Sequence, residues 1–229
     1  MRGVRGIWNT RKRWYFTLPQ GLSVSTRLGA ENPIWVAERL TRGKANTALA
    51  RTNNFRPDPD LEVGKRAELS DYKRSGYDRG HMAPAGDMRW DQQAMAESFF
   101  LSNMVPQTGI GMNRGIWKDL EEKIRRWAIS RGEVFIYTGP IYTRSPPDSI
   151  GRNKVAVPTH LYKIIYDPVR LEAIAFIMPN TNLQSADMPR YIVTIREVEQ
   201  KTGLNFLSKP EPQIEEAVEL TRAEALWVE

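Results

Sequence analysis

The stretch Ser75-Gly76-Tyr77-Asp78-Arg79-Gly80-His81-Met82-Ala83-Pro84 crowds a carboxylate, a guanidinium and an imidazole into four positions. Among 229 residues there are only two histidines, His81 and His160, so any chemistry that needs an imidazole must use one of them. The chain has no cysteine, which excludes disulfides, thiolate metal sites and cysteine nucleophiles together. An apolar share of 41% and a charged share of 26% match ordinary globular usage and support a substantial core. No run approaches the roughly 18 consecutive apolar residues of a membrane span. The start, through Arg13, carries five basic residues and lacks the apolar stretch of a secretory signal.

Outward from this stretch, the chain reads as one domain over residues 21–210, with a basic arm over 1–20 and an acidic tail over 211–229. No internal repeat, low-complexity tract or Gly/Ser linker divides it. The tail holds six Glu and one Arg, so the preceding 210 residues carry +11 of a net charge of +6. A surplus of that size suggests a polyanionic partner, nucleic acid ahead of a membrane, because no cationic amphipathic anchor is evident. Residues 34–40, 134–142, 161–166 and 171–178 are short, apolar or β-branched, and bounded by Pro, Gly, Asn or Asp, which predicts strands. Asp167-Pro168 joins the last two as a hairpin. Helical periodicity predicts helices over about 91–100, 113–130 and 189–201, the last ended by Gly203. Ile214, Val218 and Leu226 suggest a further surface helix in the tail. Strands joined by turns, with a few helices between, describe an α+β domain.

A second block follows the first. Leu101-Ser102-Asn103-Met104-Val105-Pro106-Gln107 is followed by Asn113-Arg114-Gly115-Ile116-Trp117-Lys118-Asp119-Leu120-Glu121. The Asp78-Arg79-Gly80-His81 tetrapeptide with its Met-Ala-Pro, together with this block, resembles the DNA/RNA non-specific endonucleases, a family of ββα-metal (His-Me finger) nucleases. Shorter matches continue the resemblance in order: 137–142, 157–160 and 178–180. It runs from about Pro33 to Leu207. It implies a central, mainly antiparallel sheet flanked by helices, and cleavage of single- and double-stranded DNA and RNA with Mg²⁺, Mn²⁺ or another divalent ion.

The residue types suit phosphodiester hydrolysis on their own terms. A neutral His81 can take a proton from the attacking water, and Arg79 can fork two donors onto phosphate oxygens as charge builds there. Asp78 is close enough to orient the imidazole or the strand ends, and spacing does not decide which. If a helix begins near Asn113, positions 113, 117, 121 and 125 span about 120° of one face. The neighbouring stripe Ile116, Leu120, Ile124 and Trp127 is apolar and predicts packing on the sheet. Mg²⁺ accepts few protein oxygens and keeps several waters, which suits one Asn carbonyl as ligand. The resemblance makes Asn113 the sole direct protein ligand, with Glu121 holding the ion's waters. It places Arg125 on the substrate phosphate and Asn103 around the histidine and the metal water, and it implies products with a 5′-phosphate.

Blander readings stand beside these. His81 alone reads as a satisfied loop histidine, and the flanking matches reverse that. Asn113 also suits a helix cap, worth about 1 kcal/mol. Glu121 and Arg125 also read as an i,i+4 surface pair worth about 0.2–0.5 kcal/mol. His160, at the head of a strand, reads as structural. Trp90 and Trp117 are candidates for the groove border, and Arg125, Arg126 and Arg131 for a solvated helix end or a phosphate track. The rival functions are a catalytically silent nucleic-acid-binding module and a toxin or effector nuclease with a cognate proteinaceous inhibitor. Family members are often homodimers, but no stretch here identifies an interface. Bacterial relatives suggest a periplasmic or secreted placement, ahead of a mitochondrial one.

Overall fold

The apolar runs marked as strands pair into one sheet. The computed structural model describes the backbone of residues 13–18 and 22–27 and all of residues 32–207 and 211–229. The strands are β1 (Arg13–Leu18), β2 (Leu22–Arg27), β3 (Pro33–Thr41), β4 (Asp78–His81), β5 (Met104–Gln107), β6 (Glu133–Ile141), β7 (Ser149–Ile150), β8 (Val155–Ala156), β9 (His160–Asp167), β10 (Glu172–Pro179) and β11 (Ile192–Val193). Seven of them form an antiparallel sheet in the order β1-β2-β3-β6-β9-β10-β11, while β4-β5 and β7-β8 are separate hairpins. The helices are α1 (Arg42–Ala45), α2 (Leu69–Tyr72), α3 (Gln92–Glu97), α4 (Trp117–Arg131), α5 (Ile195–Thr202) and α6 (Pro212–Leu220).

Side-chain alternation along β9 shows how both faces of the sheet are covered. Leu161 and Ile165 face α4 and join the cluster of Ile116, Leu120, Ile124 and Trp127, the stripe expected to pack on the sheet. Tyr162, Ile164 and Tyr166 face the opposite way, against Ile195 and Val198 of α5 and Val218 of α6. A sheet buried on both sides explains why its strands read as continuous apolar runs. Each such side chain, fully buried, contributes about 1.5–3 kcal/mol.

Three helices begin later or end sooner than periodicity predicts. Asp91 caps α3 by accepting from the Ala94 N–H, and Glu97 is its last residue. A 3₁₀ turn containing Pro189 and the short β11 occupy the start of the segment expected over 189–201. There α5 waits for the capping box of Thr194 and Glu197, and Gly203 closes it in the left-handed conformation at φ 69°. The third case, at Asn113, belongs to the site. In the tail, α6 buries Val218 but ends at Leu220, so Leu226 lies beyond it, packed with Trp227 against the α4 side of the core. Of the basic arm expected over residues 1–20, Arg13–Leu18 form β1 and the rest lies outside the described residues. Among the described residues, no helix is long and apolar enough to cross a membrane.

Candidate active site

The hairpin β4-β5 carries the first motif, with Asp78 opposite Gln107 and His81 opposite Met104. Gly80 is required here: a Cβ would fall 2.7 Å from Cβ and Cδ of Gln107 and closer still to its Oε1. Two residues apart on a strand, Arg79 and His81 share a face. Both line a cavity of about 660 Å³, together with Arg51, Phe55, Lys73, Asp78, Asn113, Arg114, Lys118, Glu121, Glu122 and Arg125 among others.

His81 is 8% exposed. Its ring meets Phe99 edge-on at 5.1 Å and tilts against Phe55 at 5.5 Å. Desolvation, reinforced by the positive charges of Arg51 and Arg79, pushes its pKa down to about 3, so the ring is neutral at pH 7. Nε2 is buried and has no hydrogen-bond partner among the described residues, a condition that ordinarily costs about 1–3 kcal/mol. Arg79 lies over the Phe55 ring at 4.1 Å from its centroid, a cation–π contact. No described residue takes a hydrogen bond or ion pair from its guanidinium, so its donors remain available to an anion.

Asp78 acts on neither the imidazole nor the strand ends. Its Oδ2 accepts from Asn113 Nδ2 at 2.9 Å and pairs with Arg114 Nε at 2.9 Å. The Asn113 amide is thereby turned so that its N–H₂ is spent on Asp78 and its carbonyl oxygen takes no hydrogen bond among the described residues. Asn113 does not begin a continuous α-helix. It sits in a π-helical turn, Gly109–Ile116, with its N–H on the Thr108 carbonyl at 2.9 Å. Gly111 at φ 77° and Gly115 at φ −122°, ψ −117° break the helical path, and α4 starts at Trp117. The stripe predicted through Asn113 therefore holds only from 117 onward. Within it Trp117 is buried beneath the Lys163 ammonium, 4.9 Å from its ring centroid, so this indole does not border the cavity. Trp90 packs instead under Lys44.

Glu121 and Arg125 do line the cavity. Burial pushes the Glu121 carboxyl up to about 7, with Lys163 opposing and Asp87 adding to the rise. Arg125 is not the i,i+4 partner of Glu121: its Nη1 donates to Asp87 Oδ1 at 2.7 Å. Arg126 and Arg131 are likewise engaged, with Glu229 and with Asp167 and Glu172, which leaves Arg125 as the member of that cluster at the cavity. Asn103, expected to position groups around the histidine and the metal water, is bonded to backbone. Its Oδ1 accepts from the Ala83 N–H at 3.0 Å, and its Nδ2 donates to the carbonyls of Ala83 and Ser98 at 2.9 and 2.8 Å. Every half of that amide is spent on backbone, so Asn103 fixes the chain just after His81 and does not line the cavity. His160, which donates to or accepts from Thr159 at 3.1 Å, lies away from it as well.

Sequence reasoning missed Arg51 and Phe55, which reach the site from an irregular loop with no periodic signal, and Lys163, hidden in an apolar strand. Among the described residues, no group of three or more His, Asp or Glu could cage a metal. The free Asn113 carbonyl with the Glu121 carboxylate in the same cavity fits a hard cation that keeps most of its waters.

The DNA/RNA non-specific endonuclease family model matches residues 16–213. Nuclease C1 of Cunninghamella echinulata is 37% identical over 190 residues, 76% of this chain and 75% of that protein. The mitochondrial Nuclease 1 of Schizosaccharomyces pombe is 37% identical over 196 residues, 77% of this chain and 61% of that protein. Among solved structures, EndoG in complex with EndoGI superposes with a TM-score of 0.81 at 32% identity, covering 90% of this chain and 89% of that one. The expected bacterial periplasmic or secreted placement is overturned by these relatives, since the S. pombe protein and others from yeast, fish and human are mitochondrial nucleases of eukaryotes. Matched over most of its length by the family model, the chain belongs to the DNA/RNA non-specific endonucleases.

Proposed function

We propose that the protein hydrolyses phosphodiester bonds in single- and double-stranded DNA and RNA, with Mg²⁺, or Mn²⁺ or another divalent ion, as cofactor. The observation that carries this reading is His81, its Nε2 unpartnered among the described residues, lining the same cavity as Asn113 with its free carbonyl. His81 accepts the proton of the water that attacks phosphorus. Arg79, held by an aromatic face, donates to the phosphate oxygens as charge builds on them. Asn113 and Glu121 would hold the ion, Asn113 directly and Glu121 through its waters. When bound, the ion would supply positive charge where the leaving 3′-oxygen develops negative charge, and the products would carry a 5′-phosphate. Arg125 contacts the substrate phosphate. Contacts to phosphate carry no sequence information, in keeping with cleavage of any sequence.

The solved neighbour holds EndoG with EndoGI in an account of EndoG inhibition, which supports a proteinaceous inhibitor for this protein as well. The test of the activity is cleavage of supercoiled plasmid and single-stranded RNA, with Mg²⁺ and with chelator. The parent protein should cut both, chelator should stop it, and His81→Ala should slow it by at least about two orders of magnitude. Binding without cutting under every divalent ion tried would replace this reading with that of a silent nucleic-acid-binding module.

A further inference from the structure

The geometry points to Asp87 as the positioning residue that keeps Arg125 turned to the substrate and away from Glu121. This rests on the reading above that Arg125 contacts phosphate. Glu121 and Arg125 stand four residues apart on α4, the spacing at which a carboxylate and a guanidinium pair by default. They share one cavity, yet Arg125 gives its Nη1 to Asp87, from another element.

Three features hold that arrangement. Asp87 lies in the 3₁₀ turn Ala85–Met88 that follows Pro84, and its side chain is 2% exposed, so its charge requires a partner at close range. The guanidinium rests on Gly86, where a Cβ would stand 2.6 Å from Nη1 and 3.0 Å from Cζ. Lys163, the other cation of this buried cluster, is engaged with Thr138 Oγ1 at 2.8 Å and the Met82 carbonyl at 3.4 Å, leaving Arg125 as the donor in contact with Asp87. The remaining N–H groups of Arg125 have no partner among the described residues. Without Asp87 the acids left to act on the guanidinium are Glu121 and Glu122 of the same helix and the buried Glu38, of which Glu121 has the i,i+4 spacing. Pairing with it would withdraw a phosphate contact and at the same time cover the carboxylate assigned to the ion's waters.

The test is binding of a non-cleavable phosphorothioate oligonucleotide in chelator, across a salt series, by the parent, Asp87→Asn, Arg125→Ala and the double variant. Asp87→Asn should weaken binding about tenfold, the scale of one charge-assisted contact. It should also lower the slope of log K against log salt by about 0.7–0.9, one phosphate contact. Arg125→Ala should do the same, and Asp87→Asn should add nothing in the Arg125→Ala background. Asp87→Glu should restore part of the loss. Parent-like binding by Asp87→Asn alongside impaired Arg125→Ala overturns the positioning role and leaves the phosphate contact standing. Parent-like binding by Arg125→Ala overturns the phosphate contact itself. Should Asp87→Asn fail to fold, Gly86→Ala displaces the guanidinium without changing charge: the same loss supports the proposal and parent-like binding overturns it.

Discussion

Replacing His81 by Gln should flatten the acid limb of the protein's stability profile. In the folded chain the ring does not take a proton until about pH 3, whereas an unfolded chain takes it near 6.5. Between those values the unfolded state binds more protons, so stability rises with pH and is lost as pH falls through this window. From pH 7.5 to pH 5 the difference amounts to about 2 kcal/mol, the free energy of protonating the imidazole only when unfolded. The assay is urea unfolding of parent and His81→Gln at both pH values, in chelator. Each protein serves as its own baseline at pH 7.5, so the packing lost with the ring cancels. The parent should lose about 2 kcal/mol more than the variant over that interval. Equal losses would refute the argument that desolvation by Phe55, Phe99 and the hairpin, with Arg51 and Arg79, keeps the ring neutral.

Gly80→Ala should destabilise by about 1–3 kcal/mol, because the new methyl runs into the Gln107 side chain; an unchanged urea midpoint would contradict the packing. Thr194→Ala removes the side chain that accepts from the Glu197 N–H and should cost about 1 kcal/mol by thermal melting, with nuclease activity at 25 °C retained. Trp227→Ala loses an edge contact to Trp127 and the stacking of Arg131, and should lower stability by about 2 kcal/mol in urea unfolding; a loss below a few tenths would show the tail contact to be idle. Phe55→Leu keeps bulk but removes the π face under Arg79, and steady-state kinetics should show a fall in kcat without loss of fold by circular dichroism.

The central strands were legible because burial on both faces turns each into an uninterrupted apolar run. The short strands were not. β4 contains Asp78, Arg79, Gly80 and His81, whose types report chemistry and hide the pairing with β5. The chemistry itself was legible where residues cluster locally, as at 78–81, or share a helix face, as Glu121 and Arg125 do. It failed where a partner comes from far along the chain. Asp87 meets Arg125 across 38 positions, and Lys163 meets Thr138 across 25 and Met82 across 81. No periodicity encodes such meetings. The π turn at Asn113 does leave a trace, since Gly109, Gly111 and Gly115 around that residue argue against a helix start.

Among the described residues, the strand pair that bears Arg79 and His81 shares no hydrogen-bonded ladder with the seven-stranded sheet. Side chains join them across a seam: Asn180 donates to the Pro106 and Pro158 carbonyls, its own oxygens accept from Thr108, and Lys163 reaches the Met82 carbonyl. Ladders resist shear residue by residue, whereas a seam of a few amide and ammonium bonds can adjust at each without unpairing a strand. Met82, Ala83 and Val105 add apolar contacts to the sheet across the same seam, so side chains rather than a ladder set where Arg79 and His81 stand.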